Sequence, residues 1–470
     1  VRDGKAADGT TRGILSAAGY VPYRRLQRSE ITRTFGAGGG KGTRSVASYD
    51  EDTTTMGVEA ARIALRGAPA GVQPAVWFST ASPAYLDKTN ATAIHAALRL
   101  DGDRAALDFG GAIRSGVGAL RAALEGRGPV LVVAADQRGG LPAGPDEAAG
   151  GDGAAAILVA DAGDGPVVAE YLGGASATDE FVDRWRAPGD ARSKQWEERF
   201  GETKYLPLGE QAWNAALKAA ELSAEQVDVV IATGMHARAV KALGKRLGVD
   251  PAVVADDLAA SVGITGTAHP ALLLARALEG ARPGQVIALV ALADGADVLL
   301  FRTTDALGAT PAPRPVDRQV EVAADLPYGK LLTWRGMVTV EPPRRPEPAR
   351  VSASAASRSE DWKFGFVGSK DDGGTLQLPP VPGSTPAPMA DVPATIVTFT
   401  VDRLAYSPSP PIVFAIVDFD GGGRFPVELT DVDAADVRIG DRVEMTFRRL
   451  SSADGIHNYF WKARPVRGAS

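Results

Sequence analysis

The sequence contains no cysteine in its 470 residues. That absence excludes a disulfide, a thiolate nucleophile and any cysteine-ligated zinc or iron–sulfur centre. Histidine is almost as scarce. His95, His236, His269 and His457 are scattered, with no pair at i, i+4, so unrelated histidines rather than a metal site are the expectation. No uninterrupted apolar run reaches the ~18–20 residues that a bilayer-spanning helix needs. The opening Val1-Arg2-Asp3-Gly4-Lys5 leads into no signal-peptide core. A surplus of positive charge is missing too: the net charge is −6, which argues against nucleic acid or an anionic membrane as partner. A cytoplasmic protein is the expectation.

What is there is ordinary for a globular chain, 45% apolar and 23% charged. At ~100–200 residues per domain, the length fits two or three domains. As far as about residue 305, strand-like and helix-like segments alternate. Val76–Ser79, Val130–Ala134, Ala154–Val159, Val227–Ala232, Val286–Leu292 and Val298–Arg302 read as strands. Thr55–Leu65, Ala239–Leu247 and Pro270–Leu278 read as helices. This alternation predicts an α/β fold of layered sheets and helices, and the repeat of the pattern fits two similar halves, 1–165 and 166–307. From Gly308 the composition shifts. Ala309–Pro315 and Glu341–Ala349 are proline-rich, so 308–360 reads as a linker or wrap, with a small ordered element at Leu326–Val340. Residues 361–390 are rich in glycine and proline. Residues 391–470 are all-β: Ala394–Val401, Ile412–Phe419, Gly423–Leu429, Arg442–Arg448 and Asn458–Ala463 predict a small barrel, an OB-fold being the simplest.

Several stretches carry a resemblance. Ser45–Leu65, with its Asp50-Glu51-Asp52-Thr53 turn before a Met-containing helix, is similar to the start of archaeal and actinobacterial 3-hydroxy-3-methylglutaryl-CoA (HMG-CoA) synthases, members of the thiolase superfamily. Gly153–Val159, Asp179–Pro188 and Leu332–Met337 match as well, so the resemblance spans roughly 13–345. From Trp362 the chain resembles the OB-fold family that accompanies thiolases and HMG-CoA synthases, in which a rubredoxin-like zinc ribbon precedes the barrel. The resemblance implies a thiolase fold of two βαβαβαββ halves, usually dimeric, with an active site where the halves meet.

The resemblance also implies four site residues: a cysteine that carries the acyl group, a glutamate acid/base, a histidine, and an asparagine that helps form an oxyanion hole. In Asp108-Phe109-Gly110-Gly111-Ala112-Ile113-Arg114-Ser115-Gly116-Val117-Gly118-Ala119-Leu120, the cysteine position is Ile113. In Ser79-Thr80-Ala81-Ser82 the glutamate position is Ala81. Counting back from Lys245-Arg246-Leu247-Gly248 places the histidine at Thr233; a gap would bring His236, three places later, into register instead. In Gly263-Ile264-Thr265-Gly266-Thr267 the asparagine position is Ile264. The ribbon pattern is emptied too, with Lys370 and Gly373 at ligand positions, neither of which makes a structural zinc site.

The expectation is therefore a non-catalytic subunit with no cofactor, CoA or acyl-CoA being the one candidate ligand. The partners expected are a second copy or a catalytic thiolase, as in complexes that make or break acyl-CoA C–C bonds. A cysteine-independent retro-aldolase acting on β-hydroxyacyl-CoA and an acyl-CoA binding module stand as alternatives. His236, Ser115 and Tyr85 are the candidate substrate contacts. Ser115 has no evident base, and Gly38–Thr43 lacks phosphate-loop spacing. His457, Tyr459, Phe460 and Trp461 read as barrel core rather than a base-stacking platform.

Overall fold

A computed structural model describes residues 11–190, 192–308, 312–349 and 351–467. The Val1–Lys5 expectation and part of Ala309–Pro315 lie outside the described residues. Nine strands form one sheet: β1 (Arg12–Tyr20), β2 (Ala75–Thr80), β3 (Ala106–Gly110), β4 (Val130–Asp136), β5 (Gly153–Asp161), β6 (Ala169–Ala177), β7 (Val229–Gly234), β8 (Val286–Leu292) and β9 (Ala296–Thr303). Their order is β7-β8-β9-β6-β1-β5-β4-β2-β3. Read outward from the β1–β6 join, the first half runs first, fifth, fourth, second, third strand. The second half runs first, fifth, fourth, second, and its third strand is reduced to one parallel bridge, Val230 to Val254. The same order and strand directions in both halves are those of a duplicated thiolase-type unit. The halves join where Gly13 and Ile14 pair antiparallel with Glu170 and Ala169. A Cβ on Gly13 would lie 2.2 Å from the Ala169 carbonyl oxygen, so the join needs glycine there.

Helices complete the layers. α1 (Thr53–Arg66) and α2 (Ala91–Leu98) cover the outer face of the first half, while α3 (Ser115–Glu125) and α6 (His269–Gly280) lie between the halves. α4 (Glu198–Ala219) and α5 (Ala237–Gly244) cover the second half. The layers follow from side-chain alternation along the strands. Ile157, Val159, Leu289 and Phe301 face the middle layer, whereas Ala156, Leu158, Val290 and Leu300 face the outer helices.

The segment 308–360 departs from a plain linker. Helix α7 (Val316–Glu321) and helix α8 (Tyr328–Trp334) dock on the α/β region, and Ala324–Asp325 pairs with Arg24–Arg25. Val316, Leu326, Leu331 and Leu332 are buried anchors between the prolines. The Gln319 side chain accepts from the Val21 amide at 2.9 Å and donates to the Gly19 carbonyl at 2.9 Å. Next come β10 (Val367–Lys370), β11 (Leu376–Gln377) and β12 (Thr385–Pro388), a small sheet in the order β11-β10-β12. Lys370 and Gly373 flank a turn closed by the Asp371 carboxylate, which accepts from the Gly373 and Thr375 amides at 2.9 and 2.8 Å. A side-chain acceptor thus gathers the amides of this turn. Among the described residues no group of three or more His, Asp or Glu could hold a metal ion, and no helix is long and apolar enough to cross a membrane.

The last strands, β13 (Ala394–Asp402), β14 (Ile412–Phe419), β15 (Arg424–Leu429), β16 (Arg442–Ala453) and β17 (Ile456–Pro465), close a barrel in the order β13-β14-β15-β17-β16. β16 and β17 run beyond their sequence-based ends because Asp454-Gly455, at φ 53° and 72°, forms a tight hairpin turn. Trp461, 1% exposed, sits in the core with Phe447 and Phe366.

The barrel is fastened to the α/β region by a buried array of charges, with carboxylates of the α/β side meeting cations of the barrel. From the α/β side come Asp50, Glu51 and Asp52, where Asp52 caps α1, and Glu59 within α1. From β16 and β17 come Arg448, Arg449, Lys462 and Arg464. Arg448 reaches Glu51 at 2.6 Å, Asp50 at 3.6 Å and the barrel's own Asp431 at 2.8 Å. Lys462 reaches Asp50 at 3.0 Å, and Arg464 reaches Glu59 at 2.5 Å. The Tyr459 hydroxyl donates to Asp52 at 2.8 Å, and Tyr20 donates to Glu51. Burial pushes the Glu51 carboxyl up to about 7, against the pull of Arg448. Burial also opposes ionisation of Glu59, but Arg464 and Arg62 outweigh it and hold that carboxyl well below its usual range.

Candidate functional site

The end of the sheet where the two halves meet gathers three of the four expected site positions. Ile113 lies in the turn from β3 into α3, Thr233 near the end of β7, and Ile264 in the loop before the Gly266–Ala268 turn that leads into α6. All three line one narrow cleft with Val117, Met235 and His269. Its open space is about 10 Å³, room for about one water molecule and far too little for an acyl chain. Hydrocarbon fills the rest, Ile264 being 8% exposed. Arg114, next to Ile113, bolts the halves together here. Its guanidinium pairs with Asp297 at 2.7 Å and donates to the Asp294 carbonyl at 2.8 Å.

Ala81, the glutamate position, does not line this cleft. It sits just past β2 and is held by Asp136, the last residue of β4. The fully buried Asp136 carboxylate accepts from the Ala81 amide at 2.8 Å and the Thr80 hydroxyl at 3.0 Å on one oxygen. Its other oxygen accepts from the Thr267 amide and hydroxyl, both at 2.8 Å. Asp136 therefore ties the Ala81 corner to the turn that follows Ile264. Sequence reasoning passed over it; the signal was a carboxylate closing an otherwise apolar strand.

His236, the candidate substrate contact that a gap would bring into register, lies outside the cleft. It is 3% exposed and caps α5, its Nδ1 accepting from the Ala239 amide at 3.1 Å. The Tyr205 ring lies 5.8 Å away. Asp183 is beside it: a Cβ added to Gly201 would meet both Asp183 and His236 within 2.8 Å, so glycine in α4 permits the approach. Burial raises the Asp183 carboxyl, while His236 and the Tyr205 hydroxyl pull it back. Burial also pushes the Tyr205 phenol up, with Asp183 and Asp294 adding to the shift. Here an imidazole, a carboxyl and a phenol meet, a combination able to relay a proton.

The other two candidates are not brought to the cleft. The Ser115 hydroxyl donates to the Gly110 carbonyl at 3.1 Å. The Tyr85 hydroxyl accepts from the His457 amide of β17 at 2.8 Å, and its ring packs on that imidazole, so Tyr85 is a contact with the barrel.

His269 was not singled out by sequence, yet it faces the cleft from the first turn of α6. Its Nδ1 accepts from the Thr265 amide at 3.2 Å, and burial pushes the imidazole down to about 4. The ring is neutral at pH 7. Between pH 6.5 and about 4 the unfolded chain takes up a proton that the folded imidazole refuses, so this residue removes stability as the pH falls. Relative to His269→Gln, the wild type should lose about 2–3 kcal/mol between about pH 7 and 4.5. Urea titrations of both proteins at the two pH values check this; parallel pH profiles would contradict it.

Comparison with known proteins places this geometry. Residues 388–448 match the family model "ChsH2, C-terminal OB-fold domain", and residues 217–299 match "3-Oxoacyl-[acyl-carrier-protein (ACP)] synthase III C terminal". The hydroxymethylglutaryl-CoA synthase of Methanopyrus kandleri is 29% identical over 312 residues, covering 62% of this chain and 88% of that protein. The chain is HMG-CoA synthase-like over its α/β region and ends in a ChsH2-type OB-fold domain. The synthase of Aeropyrum pernix is also 29% identical, over 353 residues, covering 70% of this HMG-CoA synthase-like chain and 96% of that protein. Among solved structures, MvaS in complex with 3-hydroxy-3-methylglutaryl coenzyme A superposes with a TM-score of 0.58 at 19% identity, covering 72% of this chain and 95% of that one. Xanthomonas campestris OleA with bound lauric acid and lauroyl-CoA gives 0.55 at 19% identity, covering 62% and 99%. These superpositions speak for the thiolase-like fold.

Proposed function

We propose that this chain is a non-catalytic, HMG-CoA synthase-like subunit of a complex that forms or cleaves C–C bonds in acyl-CoA substrates, and that its partner is a catalytic thiolase-fold protein. The observation that carries the reading is the junction cleft, lined by Ile113, Thr233 and Ile264, short of space and bolted by Arg114 to Asp297. No cysteine exists anywhere to carry an acyl group, and a branched hydrocarbon at position 113 offers neither lone pair nor room. A surface for the partner is on hand. β3 is the terminal strand of the sheet, and Leu107 on it is 48% exposed. Exposed strand edges readily pair with another chain. CoA enters this reading as a ligand of the complex. Affinity purification of the tagged full-length chain from its native host should return a thiolase-fold protein that carries its own cysteine. Recovery of the chain alone, or only as a dimer of itself, would contradict the reading.

The retro-aldolase alternative is favoured by one observation, the buried His236, Asp183 and Tyr205 group, which could move a proton without sulfur. Under that reading the purified chain cleaves a β-hydroxyacyl-CoA unaided and His236→Ala abolishes the cleavage; no turnover by the wild type removes it. The acyl-CoA binding alternative needs room that the cleft side chains occupy, and calorimetry with CoA and acyl-CoA tests it.

A further inference from the structure

Where the OB-fold domain meets the α/β region, a second cleft opens between the end of β1, helix α7 and the end of β17. Arg314, Arg318, Arg464 and Arg467 line it, and Asp431 is the one carboxylate among its lining residues. The open space is about 50 Å³, which suits a small anion rather than an acyl chain.

The carboxylates near these arginines are already shared. Asp431 is taken by Arg448 at 2.8 Å and by the Ser48 hydroxyl at 2.8 Å. Glu444 serves both Arg314, at 2.7 Å, and Arg464, at 2.8 Å, and Arg464 also pairs with Glu59 at 2.5 Å. Arg467 is held by the backbone oxygen of Asp431 and lies 3.4 Å above the Tyr23 ring. The buried Arg25 donates to the carbonyls of Pro22, Arg24 and the cleft residue Gln319. Burial holds the Arg314 and Arg467 guanidinium groups below their usual range, and the neighbouring Arg464 adds to the effect. Burial alone takes Arg25 down to about 10 against a small pull from Tyr20. Within the cleft lining four guanidinium groups meet one carboxylate, and their planar forks match phosphate oxygens.

We propose that this cleft between the α/β region and the OB-fold domain binds a phosphoryl group, supplied as free phosphate or as the phosphate of an ester. A bound phosphate bridges Arg314 and Arg318, which follow the α/β region in sequence, and Arg467 at the end of the barrel, so it tightens the docking of the two. The proposal is independent of the partner and of any turnover.

The test is calorimetric titration of the full chain in low-salt, phosphate-free buffer with inorganic phosphate, pyrophosphate and glycerol 3-phosphate. Saturable one-to-one binding is expected, with a rise in melting temperature that follows phosphate concentration. Loss of one charge-assisted bidentate contact in Arg314→Gln or Arg467→Gln should weaken it about tenfold or more. Arg318→Gln keeps the test open if those variants fold poorly. Among the described residues Arg318 pairs with the surface Glu321 at 3.2 Å, so its removal should leave the ligand-free melting curve unchanged while weakening phosphate about fivefold. The tightest of the three anions distinguishes a free ion from an ester. Absence of saturable binding, equal affinity in Arg318→Gln and wild type, or an equal response to chloride at matched ionic strength would each overturn the proposal.

Discussion

Arg448→Ala should destabilise the protein by about 3–5 kcal/mol, because it leaves buried carboxylates without their partner. Asp50, Glu51 and Asp431 all turn toward this one guanidinium, and every group in the set is at most 5% exposed. The loss would be a large fraction of the ~5–15 kcal/mol that holds a typical domain together. The damage should also be local at first. With Arg448 gone, Lys462, Arg464, the Tyr459–Asp52 and His457–Tyr85 hydrogen bonds and the Arg62 stack on Trp461 at 4.7 Å are among the contacts that still hold the barrel to the α/β region. Limited proteolysis should then cut the proline-rich stretch 341–349 well before the α/β region. Urea denaturation gives the magnitude. Arg448→Met combined with Glu51→Gln and Asp431→Asn should recover much of the loss, since the one carboxylate left from the set, Asp50, keeps Lys462 as its partner at 3.0 Å. A single-variant cost under about 1 kcal/mol, in the range of exposed ion pairs, would show that the array is not the fastening described.

Asp136→Ala should cost a similar amount, about 3–5 kcal/mol, for a different reason. Its carboxylate accepts from Thr80, Ala81 and Thr267 in a fully buried setting. Alanine strands those donors, each at about 1–3 kcal/mol before relaxation. Asp136→Asn should cost less, about 1–2 kcal/mol, because the amide oxygen still accepts on one side while the amide nitrogen faces a donor. If the two substitutions cost the same in urea titrations, Asp136 is not the link between the Ala81 corner and the Thr267 turn.

The ordering of these costs explains what was legible in the sequence. Strands such as Val130–Ala134 and Val286–Leu292 announce themselves because both faces are buried and the apolar run is unbroken. The barrel was readable from short strands parted by turn residues. Its longest hairpin was underestimated: the strands read from sequence stop at Arg448 and start at Asn458, whereas the Asp454-Gly455 turn lets them run to Ala453 and from Ile456. The third strand of the second half could not be anticipated, since it shrinks to a single bridge at Val254. The acidic turn Asp50-Glu51-Asp52 stood out as a motif, but its partners, Arg448, Arg449 and Lys462, lie far away in sequence on the barrel strands. Tyr85 was misjudged for the same reason: its contact is a barrel strand that sequence spacing cannot bring near. At the junction, motif counting named Ile113, Thr233 and Ile264, which the fold brings to one cleft. Arg114, Asp136 and His269 escaped notice because each acts through contacts made only after folding.

The central claim is that this fold has kept its shape and given up its chemistry. The most direct measurement incubates the purified full-length chain with acetyl-CoA and acetoacetyl-CoA, and separately with a β-hydroxyacyl-CoA, and follows the CoA species by mass spectrometry. The account predicts no acylated protein and no product above the protein-free control. Turnover by the chain alone, lost when His236 or Tyr205 is replaced, would contradict it.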